Sequence, residues 1–412
     1  MPRLEPLARG LQRVTAQALG PYQSAVVRIG FAATWLLFLL RELPHRNELY
    51  GPDGPWGWDM ARQVLSENDA FTVLMWSDAQ LWFQFVYGFA MLTSALLLVG
   101  WRTRTMSVLF MIGVLSLQNR SIFMGDGGDN VIHLMAIYLV FTRCGQVWSL
   151  DARRRTRARA DGVDRVGPAL WGALGLALAL VTGMDEFGWF WLVLFWGLWA
   201  SQGLWWAAGR HAPRGAPRLL LDVVANLVHN AALLVIMVEA CLIYATAGWY
   251  KIQGSRWQDG TAVYYPLNLD YFSPWPALSE LLSSHGVMIM IITYGTVIVQ
   301  VAFPFTLLNR RVKNVLLTLM ICEHAVIAVV LGLPFFSLAM IAADAVFLPT
   351  SFLRRLGTWA ARARGGLSAR LPLSRLSRGS GPARAPAEPQ TAPQGGRSAQ
   401  EGAEHARVGF GA

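Results

Sequence analysis

Long apolar runs separated by short polar connections recur along most of the chain. Their lengths approach or exceed the roughly 18 residues that mark a membrane-crossing helix. Ten such segments stand out, at 24–40, 81–100, 106–118, 130–142, 166–182, 187–207, 219–250, 287–308, 315–331 and 335–348. The pattern predicts an all-α fold, a polytopic integral membrane bundle of about ten transmembrane helices. Ahead of them, "LEPLARGLQRVTAQALG" sets Leu4, Leu7, Leu11, Val14 and Leu19 near one helical stripe with the arginines elsewhere. That suits a helix lying in the membrane interface, and a solvated lead-in suits it equally. From Ala360 onward Arg, Pro, Ala, Gly and Gln dominate, too little apolar surface to order a core. The expected organisation is an interfacial or cytoplasmic segment at 1–21, a transmembrane domain at 22–350 and a disordered basic tail at 351–412.

Composition strengthens the membrane reading. With 54% hydrophobic and 15% charged residues and a mean hydropathy of +0.38, the chain is too apolar for an ordinary soluble domain. No short charged, apolar and small-residue succession marks the start as a removed signal peptide. The net charge of +10 would suit a nucleic-acid partner if it were clustered, but it is not. Arg102 and Arg104, the 153–165 stretch, Arg210, Arg214 and Arg218, then Arg310, Arg311 and Lys313, and lastly Arg354 and Arg355 fall in every second connection. The connections "VTGMDEFG" and "LGLPFF" carry no cation. By the positive-inside rule both termini are expected in the cytoplasm, with the protein in the cell membrane and no nucleic-acid partner. Cys144, Cys241 and Cys322 give neither a disulfide framework nor metal-ligand spacing, so no metal is expected.

Among 35 cationic side chains only Lys251 and Lys313 are lysines. Lys251 ends the seventh apolar run on a helical face shared with Ala240, Tyr244, Ala247 and Gly248, whose small residues let a neighbour approach closely. A lysine at a helix end commonly snorkels to the headgroups. It can also do what arginine cannot, which is to lose its proton when desolvated and act as a base. Other ionisable residues at membrane depth are Arg28, His229, Glu239, Glu323, His324 and Asp344, each costly there unless paired or used. Arg28 is expected in a structural ion pair with an acid. "GDGGDN" reads as a turn that caps the fourth span, or as a cation or phosphate loop. The aromatic stretch "RWQDGTAVYYPLNLDYFSPWP" fits an interfacial belt or a quinone entrance.

"YATAGWYKIQGSRWQDGTAVYY", "GGDNVIHLMAIYLVF" with "WSLDA", and "EHAVIAVVLGLPFFSLAMIAADAVFLP" together resemble the membrane domain of vitamin K-dependent gamma-glutamyl carboxylases and their bacterial relatives, the horizontally transferred transmembrane domain proteins. The resemblance covers most of 24–349 and is most specific from Tyr244 to Ala262. It implies that Lys251 matches the base that deprotonates a quinol, and that His324 matches the family histidine of the site. Tyr244, Gly248, Trp257, Asp129, His133 and Glu323 are the accompanying candidates for quinone or substrate binding. It further implies a reduced quinone, menaquinol or vitamin K hydroquinone, with O2 and CO2 as co-substrates and a site on the extracytoplasmic side. The chain departs from the family at three places. A basic tail stands where the eukaryotic enzymes carry a lumenal domain. Gly128, Asp129 and Asn130 stand at a family histidine, with His133 about one turn deeper. The stretch 166–207 reads as an inserted helical hairpin.

Two functions follow as expectations. The first is a quinol-dependent epoxidase or carboxylase-like enzyme, with or without carboxylation of a peptide glutamate. The second is a non-catalytic membrane protein that helps to mature or export a small secreted peptide.

Overall fold

The computed structural model describes residues 4–68, 70–121, 123–157, 164–184 and 186–370. Among them every regular element is a helix. The first stretch holds α1 (Leu4–Ala16), α2 (Pro21–Glu42) and the short α3 (Arg46–Tyr50) and α4 (Trp58–Asn68). There follow α5 (Gln80–Val99), α6 (Thr103–Arg120), α7 (Gly127–Val140) and α8 (Leu150–Arg157), then α9 (Val166–Gly183), α10 (Trp189–His211) and the long α11 (Ala216–Gln253). Three short helices, α12 (Ser255–Gln258), α13 (Tyr264–Leu267) and α14 (Pro276–Ser283), lead to α15 (Gly286–Ala302), α16 (Arg310–Val330), α17 (Pro334–Asp344) and α18 (Thr350–Arg370).

Local chemistry sets the boundaries. Pro21 opens α2 after Gly20 in the left-handed region, since proline has no amide to satisfy in the first turn. Gly100, at φ 72°, closes α5. Asn309 caps α16 by accepting from the Arg311 and Val312 amides. All ten apolar segments picked from the sequence are helical. Among the described residues six helices, α2, α5, α9, α11, α15 with its 3-10 extension to Thr306, and α16, are long and apolar enough to cross a membrane; a seventh is obtained if α17 and α18 are one bent span.

The core lies where α2, α5, α6, α7 and α17 meet, around Phe31, Trp35, Tyr87, Phe110, Met111, Met135 and Ala339. Small residues bring these helices together: a Cβ on Gly30 would stand 2.5 Å from that of Ala342. The outer helices present large apolar side chains outward, as a bilayer solvent requires. Leu234, Ile298 and Val326 are all more than half exposed.

Arg28 corrects the sequence reading. It is fully buried, yet its guanidinium donates to the Leu97, Leu98 and Trp148 carbonyls at 2.6, 3.1 and 2.8 Å rather than to an acid. Those carbonyls lie at a helix C-terminus and an irregular turn, where backbone acceptors lack helical partners. The "WSLDA" signature supplies that turn. Asp151 accepts from the Arg102 and Thr103 amides and so caps α6, while the Ser149 hydroxyl accepts from the Ala152 amide at the start of α8.

The α9–α10 pair is closed by a reciprocal clasp. Trp171 and Trp199 stack at 4.1 Å, and each indole N–H donates to the other's backbone carbonyl at 2.9 Å. Gly175 and Gly203 leave the space, because a Cβ at either would stand under 3 Å from an indole. Beyond this clasp the two helices bury little: Gly175 and Phe195 are their only buried residues.

The chain divides into two units, 1–358 and 359–412. The described residues 351–370, expected to belong to a disordered tail, are instead helical and form α18. The rest of the expected tail, 371–412, lies outside the described residues.

Candidate functional site

At its C-terminal end α11 turns Tyr244, Gly248 and Lys251 to one side, the spacing of successive helical turns. Gly248 allows α15 to approach, since a Cβ there would come within 2.5 Å of Val301 Cγ2. The next residue along, Gln300, is then within reach of Lys251. The Lys251 Nζ donates to Gln300 Oε1 at 2.6 Å, and Gln300 Nε2 donates to Glu323 Oε1 of α16 at 2.7 Å. An amide therefore stands between the amine and the carboxylate. The indole of Trp257, on α12, lies 5.2 Å from Nζ, within cation–π range.

Two turns back along α11, Tyr244 is buried at 2% exposure and joins two further helices. Its hydroxyl donates to Asp344 Oδ2 of α17 at 3.0 Å and lies 3.0 Å from His324 Nε2 of α16. A phenol has a single proton, so with that proton on Asp344 the imidazole donates Nε2–H to the phenol oxygen and Nδ1 is a bare acceptor. His324 Nδ1 and Asp344 Oδ1 are buried with no hydrogen-bond partner among the described residues. Such atoms are uncommon in folded interiors, where buried polar groups are nearly always paired. Phe303 meets the Tyr244 ring edge-on at 6.0 Å, and Phe336 meets His324 likewise at 5.6 Å, so the polar atoms have aromatic walls.

Five of the candidates, Tyr244, Gly248, Lys251, Glu323 and His324, thus converge, with Trp257 beside the lysine. Asp129 and His133 do not join them. Asp129 accepts from the Asp126 amide and, with the Asp126 carboxylate bonded to the Gly128 and Asp129 amides, completes a capping box at the start of α7. The "GDGGDN" loop is accordingly a helix cap. His133 Nδ1 bonds to Gln118 Oε1 at 3.1 Å, and Gln118 Nε2 donates to the Asp129 carbonyl. Phe336 stands between this group and the lysine cluster, its backbone against Gly128 and its ring against His324.

His229 is structural. Its Nδ1 accepts from the Arg143 amide and its Nε2 donates to the Leu19 carbonyl, both at 2.8 Å. With Asn226 and Asn230 it ties the end of α1 and the turn after it onto α11. Gln300 went unnoticed in the sequence, although it is a lone amide in the apolar run "VIVQVAF". No family model, curated protein or solved structure matches the chain.

Proposed function

We propose that the chain is a membrane enzyme of the quinol-oxygenating, gamma-carboxylase-like class, related to the horizontally transferred transmembrane domain proteins, with Lys251 as its base. In this reading about ten helices span the cell membrane, both termini are cytoplasmic and the Lys251 end of α11 opens on the extracytoplasmic side. The observation that carries it is the Lys251–Gln300–Glu323 chain above the Tyr244–His324–Asp344 group. A direct carboxylate contact would hold the proton on the lysine, and the interposed amide of Gln300 removes that contact. Glu323, one residue beyond, is placed to balance the charge once Lys251 has taken a proton.

The surroundings fit a flat, apolar ligand with a polar edge. Trp257, Val301, Phe303 and Phe336 are apolar surfaces beside polar atoms, and His324 Nδ1 and Asp344 Oδ1 are left to accept from a ligand hydroxyl. When bound, a reduced quinone would supply the reducing equivalents for oxygenation, with O2 as co-substrate and CO2 as a further one if carboxylation follows. In this chain Lys251 receives the hydroxyl proton at Nζ, Gln300 orients that amine, and Tyr244 fixes the His324 tautomer.

The test is mass-spectrometric detection of quinone epoxide after purified full-length protein in lipid is incubated with menaquinol and oxygen, wild type beside Lys251→Ala. Epoxide from the wild type alone is the expected result. Its absence from both proteins overturns the reading in favour of a non-catalytic role in maturing or exporting a secreted peptide.

A further inference from the structure

A second cavity lies away from the lysine. The α9–α10 pair leans against α5, α6 and α11 and leaves a half-open crevice of about 610 Å³, within the size range of ligand sites. Its walls are apolar, including Val108, Ile112, Leu174, Leu178, Leu198 and Val224. Thr105 and Gln202, hydrogen-bonded at 3.1 Å, stand at its end. Beyond them a second cavity of about 380 Å³ begins, sharing Arg104, Arg143, Gln202 and Trp205 with the first.

The second cavity is built of arginine. Arg102, Arg104, Arg143, Arg154, Arg155 and Arg218 all line it. Three of these guanidiniums surround one indole: Arg104, Arg218 and Arg143 lie 4.1, 4.5 and 5.5 Å from the Trp205 ring. Neighbouring carboxylates offset only part of the charge. Asp222 serves both Arg143 and Arg218, Asp164 serves Arg102, and Asp151 is shared between Arg154 and the α6 cap. Arg104 and Arg155 have no carboxylate partner among the described residues. Like charges held this close call for an anion, and guanidiniums bind phosphate oxygens well because their planar donors match that geometry.

We infer that the paired cavities form a binding site for one anionic diacyl phospholipid, its phosphate among the arginines around Trp205 and an acyl chain in the crevice between the α9–α10 pair and the core. A neutral lipid tail would fill the apolar crevice but leave the arginines unmatched. A free phosphate would match the arginines but leave the crevice unused. Continuity of the two cavities through Gln202 and Trp205 favours one amphipathic ligand.

The experiment uses delipidated full-length protein in detergent, offered phosphatidylglycerol and phosphatidylcholine with identical acyl chains and read by native mass spectrometry. The wild type is expected to retain phosphatidylglycerol preferentially. Arg104→Gln, which breaks no ion pair, should weaken that retention roughly fivefold, the effect of one interfacial cation. Leu178→Trp, which fills the crevice, should reduce retention of both lipids. Equal retention of the two lipids, displacement of phosphatidylglycerol by millimolar inorganic phosphate, or undiminished phosphatidylglycerol binding by Arg104→Gln would each overturn the inference.

Discussion

The two ends of α11 carry opposite solutions to the same problem. The helix is 38 residues, about 57 Å, long, and polar groups gather towards each extremity, with a stretch between them that is apolar apart from Glu239. At the first end Arg218, Asp222, Asn226, His229 and Asn230 meet Arg143, Trp205 and the turn after α1. The histidine and the asparagine side chains there find partners, and the charged groups are paired or stacked. At the far end Lys251 meets an amide in place of a carboxylate, and His324 Nδ1 and Asp344 Oδ1 are left bare. Saturated bonding holds an element in place, whereas unsaturated polar atoms in an apolar wall are poised to bond something else. The difference separates the end of α11 that anchors the fold from the end proposed to do chemistry.

The sharpest way to break that contrast is Lys251→Arg. It keeps a cation that can still donate to Gln300 but abolishes the base, so epoxide formation should fall by about 10²- to 10⁴-fold, the usual worth of general base catalysis, with unchanged melting behaviour. Loss of stability in step with activity would return Lys251 to an anchoring role. Tyr244→Phe comes next. It strips the partner from both His324 Nε2 and Asp344 Oδ2 and should cost about 1–3 kcal/mol, seen as a lowered thermal midpoint in detergent.

At the other end Asp222→Asn should cost about 1 kcal/mol or less, since the two ion pairs it breaks are partly exposed. A penalty larger than that of Tyr244→Phe would invert the comparison. The smallest effect concerns Asp164, whose carboxylate Arg102 holds below the usual range through two hydrogen bonds. A depressed folded-state value adds stability that is fully present above the unfolded value near 4 and is lost as pH falls through the folded one. The wild type should therefore show no Asp164-dependent change from pH 7 to 5. Below about pH 4 it should lose a fraction of a kcal/mol that Asp164→Asn lacks throughout, the carboxylate being half exposed. Thermal unfolding of both proteins across that range measures it.

Much of this was legible in the chain. Apolar run length located all ten helical segments because burial in lipid or protein demands unbroken apolar stretches, and helical spacing put Tyr244, Gly248 and Lys251 on one face. The partners across helices were not legible. That Gln300 stands between Lys251 and Glu323 depends on how closely α15 approaches Gly248, a packing distance that no periodicity encodes. Arg28 misled for a related reason. A buried cation suggests an acid, but carbonyls freed by the end of α5 and the turn at Trp148 serve as well, and backbone acceptors have no signature in the sequence. Asp129 stood out as a site candidate because the resemblance puts a family histidine there, yet its bonds are those of a cap.

The clasp between Trp171 and Trp199 has an optical consequence. Two indoles stacked at 4.1 Å and only 13° from parallel couple their electronic transitions, which splits and intensifies their near-ultraviolet circular dichroism relative to isolated tryptophans. Separation of α9 from α10 would extinguish that signal, and Trp171→Phe supplies the spectrum to subtract. The protein thereby carries an intrinsic gauge of hairpin closure, readable in detergent or vesicles without any attached label.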